Sequence, residues 1–141
     1  QDLICAQNRS FRRIFAGICV MIDVNLVAPN GYWSLTPEEK AIICNGAGAK
    51  DGVKVPNTMY GLDMKEVFDI HDYGYYVGET LSDKRDEDRR MLNNCLIMIN
   101  NSKGWLNRIL APFRRRRALK YYEAVYYLGK KAFYAGKNIH G

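Results

Sequence analysis

Two apolar stripes at helical spacing constrain this chain more than any other feature. Met64, Val67, Phe68, His71 and Tyr75 share one side of a segment that runs to Val77 and stops at Gly78. Met91, Leu92, Cys95, Met98 and Ile99 form a second stripe, which Asn100, Asn101 and Gly104 break. Only the charged stretch 79–86, read as a connector, separates them, so the two should pack as an antiparallel helix pair. Asp63 is expected to open the first helix, with Glu66 as its capping-box partner, and Asp88 to open the second.

The rest of the chain fits around that pair. Thr36-Pro37-Glu38-Glu39 predicts a short helix with its own capping box, ended within about two turns by Asn45-Gly46-Ala47-Gly48-Ala49. Residues 50–61 read as a loop. Residues 105–111 predict a short helix before Pro112, and a last helix runs from about Arg115 to Tyr134. On that helix Leu119, Tyr122, Val125, Tyr126 and Phe133 are expected on one side. Residues 11–27 are also read as helix, on Phe15, Ile18, Cys19 and Ile22. With no strand and no repeat recognised, the expectation is an all-α single domain over residues 1–141.

The apolar run Ile14 to Ile22 is too short to span a bilayer. No charged-then-apolar leader opens the chain and residue 1 is Gln, so a processing site and an arbitrary boundary both stay open. The net charge of +6 is unevenly spread: residues 103–137 carry ten basic side chains against Glu123 alone. An anionic partner, lipid head group or nucleic acid, would suit that third. Cys5, Cys19, Cys44 and Cys95 lack the close pairing of a zinc site; two disulfides and four buried thiols are both open.

Chemistry concentrates at His71-Asp72. Neighbours on a helix point about 100° apart, so the two side chains can serve different roles at one site. Gly46-Ala47-Gly48 lies upstream, where glycines allow backbone groups to converge on an ion. Downstream, Asp88 could meet His71 across the helix pair, and from position alone so could Asp86 or Glu87.

Taken in order, Cys44-Asn45-Gly46-Ala47-Gly48, Asp69-Ile70-His71-Asp72-Tyr73-Gly74-Tyr75 and Asp88 resemble the secreted phospholipase A2 superfamily, above all its bacterial, disulfide-poor members. The likeness covers roughly residues 36–100. It implies a phospholipase A2-like core with a glycine-containing calcium loop and a C-terminal basic, aromatic helix. It implies His71 as general base, Asp88 as the carboxylate that orients it, Tyr75 as a donor to that carboxylate, and the Gly46 amide at the oxyanion. Calcium would be held by Asp72 and the carbonyls of Cys44, Gly46 and Gly48.

The activity implied is calcium-dependent hydrolysis of the sn-2 ester of glycerophospholipids at a membrane surface, and the basic C-terminal third suits an anionic one. A secreted or cell-envelope location goes with the calcium requirement. The alternative is a non-catalytic calcium- and membrane-binding module on the same fold. Nucleic-acid binding through Arg114–Arg117 ranks below both, because nothing resembles a reader of base edges. Val67, Phe68, Gly74 and Glu87 stand where the animal enzymes carry half-cystines, and apolar packing is expected to replace the cross-link between positions 74 and 87.

Overall fold

A computed structural model describes the backbone of residues 11–15 and 18–22, and residues 25–44, 56–135 and 137 in full. The described chain is mostly helical: α1 (Pro37–Ile43), α2 (Lys65–Val77), α3 (Leu81–Asn101), α4 (Trp105–Leu128) and α5 (Lys130–Tyr134). Two small antiparallel hairpins accompany the helices, β1 (Phe11–Phe15) with β2 (Ile18–Ile22), and β3 (Thr58–Met59) with β4 (Leu62–Asp63).

The helix expected over 11–27 is therefore a hairpin, paired Phe11 to Ile22 and Phe15 to Ile18. The segment is rich in Phe, Ile and Val with Gly17 between its halves, and a short apolar run has no period of its own. The loop reading of 50–61 also fails at its end, where β3 and β4 join through Tyr60 and Gly61, both with left-handed φ (47° and 78°). That pair of angles belongs to the tight hairpin turn whose twist matches its strands. A left-handed residue that is not glycine costs about 1–2 kcal/mol. Arg114 from α4 holds the turn in place, donating to the carbonyls of Met59 at 3.0 Å and Tyr60 at 2.6 Å.

Helices α2, α3 and α4 run alternately up and down. Gly78 lies against Asp83, Gly74 against Glu87 and His71 against Asp88, so α2 and α3 are antiparallel, as expected. Arg115 bonds Asn100 and Lys84 bonds Val125, which makes α3 and α4 antiparallel as well. Val67, Ile70, Met91, Cys95, Ile99 and Ala118 are buried between them. Asn94, fully buried on α3, ties down the extended segment before α1: its side-chain oxygen accepts from the Val27 amide and its nitrogen donates to the Val27 carbonyl.

Helix α1 carries the predicted capping box in full, with Thr36 and Glu39 each closing on the other's amide. The other helix starts differ from the sequence reading. α2 begins at Lys65 behind Met64, and Glu66 turns instead to Tyr32 and Lys40. α3 begins at Leu81 with a capping box of Thr80 and Asp83, so Asp88 lies two turns inside the helix rather than opening it. α4 passes through Pro112 without ending, and the next break falls at Gly129. Its buried side carries Arg114 and Ala118 with Tyr121 and Val125 packed beside them, whereas Leu119 faces out.

Candidate active site

Helix α2 places His71 and Tyr75 one turn apart, with ring centroids 4.2 Å from each other. Both reach one carboxylate on α3. His71 Nε2 lies 2.9 Å from Asp88 Oδ1, and the Tyr75 hydroxyl donates to the same oxygen at 2.6 Å. Asp88 is 0% exposed and His71 is buried, so this contact is shielded from water. Of the three acids open from sequence, Asp88 is the one brought to the imidazole. Asp86 is exposed beside Arg89, and Glu87 pairs with Arg90.

The other Asp88 oxygen is held by a residue the sequence reading missed. Lys84 is 1% exposed; its Nζ donates to Asp88 Oδ2 at 2.7 Å, to the Val125 carbonyl at 2.7 Å and to the Tyr126 carbonyl at 3.4 Å. Those carbonyls belong to the last turn of α4, the negative end of that helix, which favours a cation. The signal was available: Lys84 stands four residues before Asp88, the spacing of a helical ion pair. Burial pushes the Asp88 carboxyl up, but hydrogen bonds from His71, Lys84 and Tyr75 outweigh it, so the group sits below the usual carboxylate range. Tyr75 moves the opposite way. Burial, then the Asp88 bond, raise its hydroxyl well above the ordinary tyrosine value and keep it a donor.

Later elements brace this cluster. Phe133 of α5 stands edge-on to the Tyr75 ring at 5.2 Å. Lys137 donates to the carbonyls of Tyr75 and Gly78 at the end of α2. At Gly129 a β-carbon would lie 2.4 Å from the Val125 carbonyl oxygen and 2.7 Å from the Tyr75 hydroxyl, so the α4–α5 junction requires glycine to approach the site this closely.

The remaining predicted residues divide. Gly46 and Gly48 lie outside the described residues, so the loop reading there has no structural counterpart. Cys44 is described: it ends α1, and its Sγ donates to the Asp69 carbonyl at 3.3 Å, which ties the end of α1 to α2. Burial first, then the negative charges of Asp69 and Asp72, push the Cys44 thiol up to about 12. Asp72 is half-buried on α2, and its negative charge bears on both Cys44 and Tyr75. Among the described residues no group of three or more His, Cys, Asp or Glu side chains gathers as a metal site. Of the calcium donors that the resemblance implies, Asp72 and the Cys44 carbonyl are described, and both are oxygen donors of the kind a hard cation takes.

Half-cystine positions implied by the resemblance are filled in two ways. Val67 and Phe68 are buried in the core, Phe68 edge-on to Tyr121 at 5.8 Å. Gly74 and Glu87 are different: the Glu87 side chain lies directly on Gly74, where any β-carbon would come within 2.1 Å of its carboxylate. A glycine–carboxylate contact braced by Arg90 therefore stands there instead of apolar packing. Compared with protein-family models, curated proteins and solved structures, the chain matches none of them.

Proposed function

We propose that this protein is a calcium-dependent ester hydrolase of the phospholipase A2 type, cleaving the sn-2 ester of glycerophospholipids with a histidine-activated water. The observation that carries the reading is the buried Asp88 carboxylate, engaged at one oxygen by His71 and Tyr75 and at the other by Lys84. With its Nε2 hydrogen directed at Asp88, a neutral His71 has its lone pair on Nδ1, the atom available to a water.

His71 Nδ1 takes a proton from water as the water oxygen bonds to the ester carbonyl carbon. Asp88, ionised and fixed, stabilises the imidazolium that results and holds its tautomer. The same proton then goes to the departing glycerol oxygen as the ester C–O bond breaks, giving a fatty acid and a lysophospholipid. No serine or cysteine is acylated on this route. The Gly46 amide is the donor that the resemblance assigns to the oxyanion. Calcium, when bound by Asp72 and the carbonyls of Cys44, Gly46 and Gly48, supplies Lewis-acid stabilisation of that oxygen. A secreted or cell-envelope setting follows as part of the same proposal, because such sites work at millimolar calcium.

The test is release of sn-2 fatty acid from a short-chain diacyl phosphatidylcholine, with calcium and with chelator. Activity should require calcium and fall at least about a thousandfold in His71→Asn, with the circular dichroism of the variant unchanged. Hydrolysis that persists in His71→Asn, or that ignores chelator, overturns the reading. Calcium binding without turnover of any phospholipid would assign the chain to a non-catalytic module instead.

A further inference from the structure

The first half of α4 turns a broad apolar face to solvent. Trp105 is 73% exposed, Leu106 53%, Ile109 56% and Phe113 55%, on a helix whose opposite side is anchored by Arg114 and Ala118. At 100° per residue these four side chains fall within about a third of the helix circumference. The same sector continues toward the C-terminus as Arg116, Lys120 and Arg117, all exposed. The face is thus apolar over its first two turns and cationic over the next two.

A neighbouring element completes it. The left-handed Tyr60 at the β3–β4 turn, half-exposed, sets its ring 6.2 Å from Phe113, and the Arg117 guanidinium lies over that ring at 5.1 Å. Arg114 fixes the turn from beneath, so a strained backbone is spent on adding one more aromatic ring to an exposed surface. On the flank, at the α3–α4 junction, a cleft of about 450 Å³ is lined by Lys103, Arg108 and Arg115. From Lys103 to Tyr122 there are seven cations and no acid.

From this we infer that the outward face of α4 from Trp105 to Lys120, with Tyr60 beside it, docks on an anionic phospholipid bilayer. Charge complementarity selects that occupant. With Arg114 turned inward, a protein partner or second copy would meet six exposed cations around an apolar centre, and the copy would bring the same charges to face them. A bilayer surface supplies phosphates at the level of the basic side chains and hydrocarbon just below. Trp, Tyr, Phe and Ile can enter the head-group boundary while Arg and Lys chains extend to the phosphates. No helix among the described residues is long and apolar enough to cross a membrane, so the contact is one of lying on the surface. Arg114 and Tyr121, on the same basic and aromatic helix, take no part in this surface, because both are turned into the protein.

The inference does not rest on the hydrolase reading, and its test is kept separate from it. The full chain carrying Trp33→Phe, which leaves Trp105 as sole tryptophan, is mixed in EDTA with vesicles of ether-linked phosphatidylglycerol or ether-linked phosphatidylcholine, neither of which offers a carboxylic ester. Phosphatidylglycerol vesicles should shift Trp105 emission to the blue and pellet the protein, an effect that weakens with salt. Phosphatidylcholine vesicles should do much less. Arg116→Gln/Arg117→Gln should weaken binding about thirtyfold, from roughly tenfold for each 1.4 kcal/mol at about 1 kcal/mol per basic residue. Trp105→Ser/Phe113→Ser should abolish pelleting while unfolding at the same urea concentration as the parent. Unchanged emission with no pelleting on phosphatidylglycerol overturns the inference. So does sedimentation as a lipid-free dimer whose Trp105 emission is already blue-shifted, which would assign the face to a second copy.

Discussion

Lys84→Met removes the one fully buried cation beside Asp88 and isolates its contribution. In the native protein Lys84 satisfies one carboxylate oxygen and two α4 carbonyls. Deleting one partner of a buried pair leaves the other charge desolvated, which typically costs 3–5 kcal/mol, so a loss of about 4 kcal/mol is expected at pH 7. The pH dependence separates this from a simple packing defect. Asp88 is held below the ordinary carboxylate range, so the stability it contributes is present above about pH 4 and is lost as pH falls through its lower folded value. Without Lys84, burial pushes the carboxyl up against only the His71 and Tyr75 bonds. The variant then takes up a proton at a higher pH, and its deficit relative to the parent narrows between pH 7 and about pH 4.5. Urea unfolding at both values reads this directly. Asp88→Asn in the same background should recover about 2 kcal/mol of the summed single losses, the coupling expected of groups in contact. As an internal control, Asp86→Asn should lie within about 0.5 kcal/mol of the parent, because the Arg89–Asp86 pair is exposed and 3.8 Å apart. A deficit identical at both pH values, together with strictly additive losses, would refute the ion-pair account.

Two further outcomes follow from the same contacts. Gly129→Ala drives a β-carbon against the Val125 carbonyl and the Tyr75 hydroxyl; it should cost about 1–3 kcal/mol in thermal unfolding and lower hydrolysis, whereas Gly104→Ala, whose β-carbon meets nothing but whose φ of 104° is strained, should cost stability and spare the Tyr75 contact. The Cys44 and Cys95 thiols, both pushed up to about 12 with burial the leading cause, should resist alkylation at pH 8 in the native state and react on unfolding, as followed by peptide mass.

Several elements were legible because their signals are local. Thr36, Pro37 and Glu39 specify the start of α1 among themselves, and the stripes from Met64 and Met91 carry the 3.6-residue period over enough turns to exclude a strand. The helix pair, and with it the approach of His71 to the acids at positions 86–88, follows from those stripes and a short connector. Where two local signals compete, sequence misled. Residues 79–86 are charged enough to resemble a connector, yet Thr80 and Asp83 cap a helix there, and that earlier start gives Lys84 its place on the buried side. Pro112 forfeits one amide bond, but the burial of Arg114 and Ala118 just beyond it holds α4 continuous.

Sequence by itself determined which residue types meet: an imidazole, an acid and a tyrosine on two helices whose apolar faces have nowhere to go but against each other. Period and capping are properties of neighbours along the chain, so they can be read there. Only the tertiary structure decided that Asp88 rather than Asp86 or Glu87 reaches His71, that a lysine and the end of α4 complete its shell, and that Arg114 faces inward while Trp105 and Phe113 face out. Those outcomes depend on the rotation of each helix about its axis, which is set by packing against partners far away in sequence.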